Sequence, residues 1–355
     1  MRFHILGVPH TKTNKDFVSC AYTQKVLKFG KMMTELGHEV IHYGHKDSDL
    51  ICTEHVSVLE DDIYNISYGD RDFNSHTFTF NPEKDLAYLV WWENAAREIE
   101  KRKQPGDFLL AFWGSGVKPV CDAHPDMIHV EPGIGYPYGS FAKYKVFESY
   151  AIYHAYAGTH GVATCKQNWY ESVIPNYFDE SDFTYNEDKD DYFLYLGRVC
   201  EGKGVSVACE VTQFIGAKLV IAGPLNEINP FKIPDHCEYL GYADTELRRE
   251  LLSKAKAIFM PSRYVEPFGG VQIESLLSGT PTITSDWGAF VENNHNGITG
   301  YRCRTFNDYV AAAQNIDRIQ PSTCRQFGMG YTLNPIGKRY EKYFNDLQQS
   351  EARNR

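Results

Sequence analysis

No run of 18 or more apolar residues occurs in this 355-residue chain, so no segment is long enough to cross a bilayer as a helix. The opening Met1-Arg2-Phe3-His4-Ile5-Leu6-Gly7-Val8-Pro9 holds too short an apolar run for a leader peptide and reads as a buried first strand. Nine cysteines, at positions 20, 52, 121, 165, 200, 209, 237, 303 and 324, form neither a C-x-x-C pair nor a metal-ligand spacing. Because an odd number cannot all pair within one chain, a reducing compartment is implied, and a cytoplasmic location is expected. Basic charge is scarce: a formal net charge of −10 opposes non-specific attraction to nucleic acid or anionic membrane. No Asp-x-Asp stands where it would hold a catalytic metal, Asp188-Lys189-Asp190 lying in a charged linker, so no metal is expected. Internal repeats and low-complexity tracts are missing too.

What is present is an ordinary globular composition, 43% hydrophobic and 23% charged, in a chain longer than the about 250–300 residues at which single cores stop growing. Two domains follow. Short apolar runs alternate with helical patterns, as in βαβ units and parallel sheets. A strand at Phe3–Val8 precedes Val18, Tyr22, Phe29, Met33 and Leu36 at helical spacing; Gly37 stops that helix and Glu39–Tyr43 is the next strand. A second helix is predicted to begin at Asn81-Pro82-Glu83 and reach about Arg102. Strands are predicted at Asp107–Trp113, ending in Gly114-Ser115-Gly116, and at Met127–Glu131. The charged run Glu187–Asp191 marks the start of a second α/β series. Its strands are Tyr192–Leu196, Lys218–Ala222, Cys237–Leu240 and Ala257–Met260; its helices are Val205–Ile215 and Thr245–Ala255, the latter capped by Asp244. A last helix, Gly337–Gln349, has no strand after it.

The chemistry concentrates in Glu266-Pro267-Phe268-Gly269-Gly270-Val271-Gln272-Ile273-Glu274, where two carboxylates bracket a Gly-Gly pair at the head of a helix. Gly269 and Gly270 let backbone approach an anion, and the helix aims open N–H groups at it. A carboxylate beside a phosphate site repels the ligand unless it meets hydroxyls or developing positive charge, and a sugar joined to a phosphate offers both. The bland reading is a capped helix with a chance glutamate pair. Arg198 and Lys203, in Leu196-Gly197-Arg198-Val199-Cys200-Glu201-Gly202-Lys203-Gly204, follow a strand end, where parallel sheets bind ligands. Two cations there suit a diphosphate, although alone they read as a solvated basic turn. Gly223, in Ile221-Ala222-Gly223-Pro224, and Tyr242 after Gly241 mark strand-end turns where backbone meets a base or a phosphate, or simply turns.

In this order the pieces resemble retaining glycosyltransferases of the GT-B fold, family four. The resemblance runs through Val173-Ile174-Pro175-Asn176, Arg198, Lys203-Gly204, Gly223, Gly241, Pro261-Ser262, Glu266-x7-Glu274, Gly279-Thr280-Pro281 and Gly288, covering nearly all of 173–302. It implies two Rossmann-like domains facing a cleft: residues 1–177 on the acceptor side, 178–330 holding the nucleotide sugar, and a C-terminal helix in 331–355 crossing back to the first domain. It further implies that Arg198 and Lys203 contact the donor diphosphate, Glu266 the sugar and Glu274 the ribose. The backbone from Phe268 through Gly269, Gly270 and Val271 meets the phosphates, with Gly223 and Tyr242 completing the donor site. The expected activity is metal-free transfer of a sugar from a UDP-, GDP- or ADP-sugar to an acceptor hydroxyl with retention. No cofactor is required. A glycan, a lipid-linked sugar or a small molecule is the expected acceptor, a modified nucleobase being disfavoured by the acidic balance. A sugar-nucleotide epimerase of the same fold and a non-catalytic sugar-nucleotide sensor are the alternatives.

Two departures stand in the N-terminal half. Val8–Asn14 replaces the usual Gly-Gly loop, and Glu131, before Pro132-Gly133, stands where relatives place histidine. Glu131 is either a catalytic carboxylate or a cap on nearby backbone N–H groups, with His10, His129 and His154 as substitutes. The aromatic run from Tyr136 to Tyr156 stacks on a sugar or packs a helix.

Overall fold

A computed structural model describes residues 1–69, 79–160, 170–225 and 231–353. The chain divides into two compact units, Met1–Glu148 with Ala155–Tyr177 and Leu333–Arg355, and Ser149–His154 with Phe178–Thr332. Both are Rossmann-like α/β layers. Cys165 lies outside the described residues; the other eight cysteines are free thiols. Among the described residues no helix is long and apolar enough to cross a membrane.

The first unit is built on β1 (Arg2–Leu6), β2 (Glu39–His45), β3 (Glu54–Leu59), β4 (Phe108–Leu110), β5 (Ile128–Ile134), β6 (Tyr144–Phe147) and β7 (Ser172–Val173), ordered β3-β2-β1-β4-β5-β6-β7 with every pairing parallel. A core lies on each face, because side chains alternate: Phe3 and Ile5 of β1 enter one core and Leu6 the other. The final helix, Leu333–Arg353, buries Leu333, Ile336, Tyr340, Phe344 and Leu347 along one stripe. Phe344 sits 4.7 Å from Phe3 and 5.0 Å from Phe108, centroid to centroid, which fastens this C-terminal helix to the first unit. Burying one such ring is worth about 1.5–3 kcal/mol.

The second unit contains β8 (Phe193–Leu196), β9 (Leu219–Ala222), β10 (Cys237–Tyr239), β11 (Ala257–Met260), β12 (Thr282–Ser285) and β13 (Gly300–Cys303). Their order is β10-β9-β8-β11-β12-β13, again parallel. Each sheet therefore has one place where successive connections leave in opposite directions: between β1 and β4 in the first unit, and between β8 and β11 in the second. Open α/β sheets bind ligands at the carboxyl ends of the strands flanking that reversal.

Several expected elements move. The helix predicted from Asn81 spans Leu86–Glu100, because Asn81 nucleates a turn instead: its side chain accepts from the Glu83 N–H (3.1 Å), and Asp85 accepts from the Asn81 N–H (2.7 Å). The strand expected at Asp107–Trp113 stops at Leu110, and the one expected to end at Glu131 continues to Ile134 across a register shift containing Gly133 at φ 68°. The aromatic run is no single helix face, since Tyr144 and Phe147 lie on β6 while Tyr150–Tyr156 lie on the helix Tyr150–Thr159.

Candidate functional site

At the sheet reversal of the second unit, glycines bring the β8 and β11 loops together. Gly204 has φ 74°, and a Cβ there would lie 2.0 Å from the Pro261 carbonyl oxygen, so only glycine permits this contact. The Arg263 N–H donates to the Gly202 carbonyl (2.9 Å), a second tie between the loops. Lys203 is thereby carried to Glu266, its Nζ 2.9 Å from Oε2 and 3.2 Å from Oε1, and lies 4.8 Å from the centre of the Tyr264 ring.

Glu266 is 7% exposed and held from three sides. Lys203 is one, and the Ser262 hydroxyl, donating to Oε2 at 3.0 Å, is another. The third is the Gly288-Ala289 turn: the Ala289 N–H donates to the Glu266 carbonyl (2.9 Å), and a Cβ on Gly288 would come within 2.7 Å of the Glu266 nitrogen. Arg198 is exposed, and its guanidinium bonds no described side chain; the Tyr195 hydroxyl fixes its carbonyl at 2.8 Å. The helix Gly270–Leu277 begins from Gly269 at φ 82° with no side-chain cap, leaving its first N–H groups and dipole end for an anion.

The remaining predicted donor residues differ in what they offer. Phe268 is core, stacked on Phe178 at 6.2 Å, and its carbonyl accepts from Asn293 at 2.8 Å. The phosphate-facing positions are consequently Gly269, Gly270 and Val271. Gly223 approaches Gly197 so closely that a Cβ would meet the Gly197 oxygen at 1.9 Å; its N–H donates to Gly241 (2.7 Å) and its carbonyl accepts from Tyr239 (2.9 Å). Its contribution is thus close approach rather than a bond. Tyr242 follows in the same turn, half-buried. Glu274 forms a tight ion pair with Arg248, from the helix Thr245–Lys254. Ser262, Tyr264 and Arg248 are the partners whose roles sequence reasoning missed. Arg248 and Glu274 are 26 positions apart, and only the fold brings them together.

In the first unit Glu131 is fully buried, and its Oε2 accepts from the N–H groups of Phe141 and Ala142, both at 2.9 Å, with the Tyr136 hydroxyl 3.4 Å from Oε1. It caps backbone ten residues on, not the Pro132-Gly133 turn. Burial pushes its carboxyl up to about 7, against the downward pull of those N–H groups. The rise from 4.5 to about 7 corresponds to about 3 kcal/mol. The folded chain holds this proton more tightly than the unfolded one, so the stability it contributes is complete below pH 4.5 and is lost as pH rises to about 7. In Glu131→Gln the amide oxygen keeps both backbone bonds without the charge. We predict that urea unfolding at pH 5 and pH 8 shows a smaller loss of stability in the variant than in the wild type. Equal losses would place the titration elsewhere.

His10 is buried, bonded to the Tyr88 hydroxyl at 2.7 Å and pushed down to about 3 by burial, so it is neutral. His129 bonds the His124 carbonyl at 2.8 Å, and His154 is exposed. Among the described residues one cluster, His45, Asp47 and Asp61, has metal-ligand spacing. The Asp47 N–H donates to His45 Nδ1 (3.1 Å), which puts the ring proton on Nε2, facing Asp61 at 3.3 Å. Lys12 already pairs with Asp47 (2.6 Å) and Lys46 with Asp61 (2.7 Å), so both carboxylates are matched by a cation and the buried His45 offers no free imidazole lone pair.

Residues 178–323 match the family described as glycosyl transferases group 1. Glycogen synthase of Mycobacterium tuberculosis (strain H37Rv) is 33% identical over 122 residues, which are 31% of this chain and 29% of that relative. The structure of AviGT4, a glycosyltransferase involved in avilamycin A biosynthesis, superposes with a TM-score of 0.67 at 17% identity over 98% of both chains. Anabaena HepE, solved in complex with UDP-glucose, gives 0.66 at 12% identity, covering 98% of this chain and 100% of that one. The fold is GT-B, and the second unit carries a group 1 glycosyl transferase domain.

Proposed function

We propose that this chain is a retaining glycosyltransferase that moves a sugar from a nucleoside diphosphate sugar to an acceptor hydroxyl without a metal ion. The observation that carries this reading is the Lys203–Glu266 pair, at the sheet reversal of the group 1 domain and beside the uncapped helix start at Gly269-Gly270. A cation and a carboxylate adjoining an anion-binding helix end match a ligand with a diphosphate on one side and a hydroxylated ring on the other. In this reading Arg198, Lys203 and the N–H groups at Gly270 and Val271 hold the diphosphate. Glu266 meets the sugar, and Glu274 the ribose.

The reaction breaks the bond between the anomeric carbon and the phosphate oxygen and joins that carbon to the acceptor oxygen on the same face. The acceptor proton passes to the departing phosphate oxygen. Charge on the diphosphate is greatest as the bond breaks, so fixed cations stabilise the transition state more than the bound donor. The HepE complex with UDP-glucose supports a donor of this class. The test is a thermal-shift screen against UDP-, GDP- and ADP-sugars, followed by donor hydrolysis without acceptor. A donor at 100 times its dissociation constant should add about 2.7 kcal/mol of stability. If none of the three classes raises the melting temperature, the reading fails.

Glu274→Ala is expected to raise KM and the dissociation constant of the free nucleoside diphosphate together, by roughly tenfold for about 1.4 kcal/mol of lost hydrogen bonding, with kcat nearly unchanged. Unaltered binding of the free diphosphate would show that Glu274 does not hold the ribose.

A further inference from the structure

Cys209 and Cys237 stand 28 positions apart in the sequence, and the fold sets their sulfurs 3.7 Å from one another. Cys209 lies on the buried face of the helix Val205–Ile215, and Cys237 opens β10. The pair is chemically uneven. Cys209 is buried, whereas Cys237 is half-buried and has a second neighbour, His236 Nε2, at 3.3 Å. That nitrogen is also 3.1 Å from the Cys209 carbonyl oxygen, which only accepts, so the ring proton sits on Nε2 and faces the Cys237 sulfur. Sharing a proton with Cys209 holds the Cys237 thiol below its ordinary value, against the upward push of its burial. The thiolate is the nucleophile of sulfur chemistry, so Cys237 is the attacking member and Cys209 the resolving one.

Each thiol sits on an element that leads into the proposed donor site. The helix of Cys209 starts from Gly204, directly after Lys203. β10 runs from Cys237 to Tyr239, whose hydroxyl donates to the Gly223 carbonyl (2.9 Å); two residues on, the Gly241 carbonyl accepts from the Gly223 N–H (2.7 Å). Gly223 in turn packs on Gly197, beside Arg198. The two elements differ in how firmly they are held. The helix buries Val205, Ala208, Cys209 and Val211 in the core of the unit, while β10 ends the sheet order and pairs with β9 alone. A disulfide needs about 2.0 Å between its sulfurs. Closing the 3.7 Å gap therefore moves the edge strand rather than the helix, and the shift passes through Tyr239 and Gly241 to Gly223.

We propose that Cys209 and Cys237 form a reversible disulfide in the presence of hydrogen peroxide, and that the oxidised chain binds nucleotide more weakly. The Cys237 thiolate attacks one peroxide oxygen; the O–O bond breaks, and the departing hydroxide takes up the proton that Cys237 released, giving water and a sulfenic acid. The Cys209 sulfur then attacks that sulfur; the S–O bond breaks, and hydroxide leaves as water with the Cys209 proton. Two thiols have lost two electrons, and peroxide has become two waters. A dithiol reductant returns both thiols. In a reducing compartment such bonds are transient and report on oxidant. The nucleotide effect rests on the transferase reading, the disulfide on the thiol geometry alone.

In the experiment the full chain is treated with hydrogen peroxide, its remaining thiols are blocked with N-ethylmaleimide, and a non-reducing digest is read by mass spectrometry. A peptide pair joining Cys209 to Cys237, lost on dithiothreitol treatment, is expected. Cys209→Ala should stop instead at the Cys237 sulfenic acid, captured by dimedone. Calorimetry with UDP, GDP and ADP on the same samples should show the nucleotide that binds weakened roughly fivefold or more by oxidation, the low end of coupling between sites, and restored by dithiothreitol. The proposal is overturned if both thiols stay open to N-ethylmaleimide, if Cys237 reaches the sulfinic acid without a cross-link, or if the cross-linked chain binds nucleotide as tightly as the reduced one. An equal loss of affinity in peroxide-treated Cys209→Ala also overturns it, because the oxidised thiol then lies elsewhere, as at the half-buried Cys200. A cross-linked chain that binds none of the three nucleotides in either redox state refutes the transferase reading, and the nucleotide effect with it, and leaves the disulfide standing.

Discussion

Lys203→Ala is expected to lower kcat by roughly two to three orders of magnitude while KM for the donor shifts only a few-fold, the pattern of a donor group acting on transition-state charge. The Lys203 ammonium sits within a hydrogen bond of Glu266 and over the Tyr264 ring, at the mouth of the β8 loop that Gly204 presses onto Pro261. In the absence of donor it neutralises Glu266. When a diphosphate arrives, the doubly charged group competes for the same ammonium, and its claim strengthens as the bond to the sugar breaks. Removing Lys203 also leaves the buried Glu266 carboxylate with hydroxyl partners, Ser262 and Tyr264, and no cation, at a cost of about 1–3 kcal/mol. That folding effect is separable from catalysis. The double variant Lys203→Ala, Glu266→Gln should recover stability, because no unpaired charge is left, yet recover no transfer. A raised KM with unchanged kcat in the single variant would make Lys203 a uniform binder of ground and transition states.

The second unit was legible because its elements are local: Val205–Ile215 and Ala257–Met260 match their expected bounds, and Asp244 caps the Leu247 N–H at 2.9 Å. Punctuation by glycine, a capping aspartate and a short apolar run is written within a few residues of the element it ends. The first unit is harder to read. β3 (Glu54–Leu59) has only part of its length buried and was not anticipated, and β5 runs through Pro132 and Gly133, residues that ordinarily end a strand. For the site, the loops bearing Lys203 and Glu266 were visible as residue types, but their pairing spans 63 positions and depends on the Gly204–Pro261 contact, a tertiary fact. Glu131 shows the opposite limit. Its position invited a catalytic assignment, whereas its bonds to Phe141 and Ala142 depend on a loop whose course no local pattern predicts.

Glu266→Gln should be as damaging to transfer as the loss of Lys203, roughly 10²–10³-fold in kcat, but with the opposite effect on product binding. The amide is isosteric, so it can keep the Ser262 contact, and the Gly288-Ala289 turn still grips the backbone of residue 266. What disappears is a negative charge beside the proposed sugar site, able to stabilise positive charge developing at the anomeric carbon. The same charge occupies Lys203 before the donor binds and repels a diphosphate next to it. Its removal frees the ammonium and lifts that repulsion, so free UDP, or whichever nucleoside diphosphate the screen identifies, should bind at least as tightly as to the wild type. Calorimetric titration of the free diphosphate into both proteins, alongside steady-state transfer, checks the two halves together. If diphosphate affinity falls while transfer persists, Glu266 serves only to aim Lys203 at the phosphates, and the sugar must be held by another group of the β11 loop.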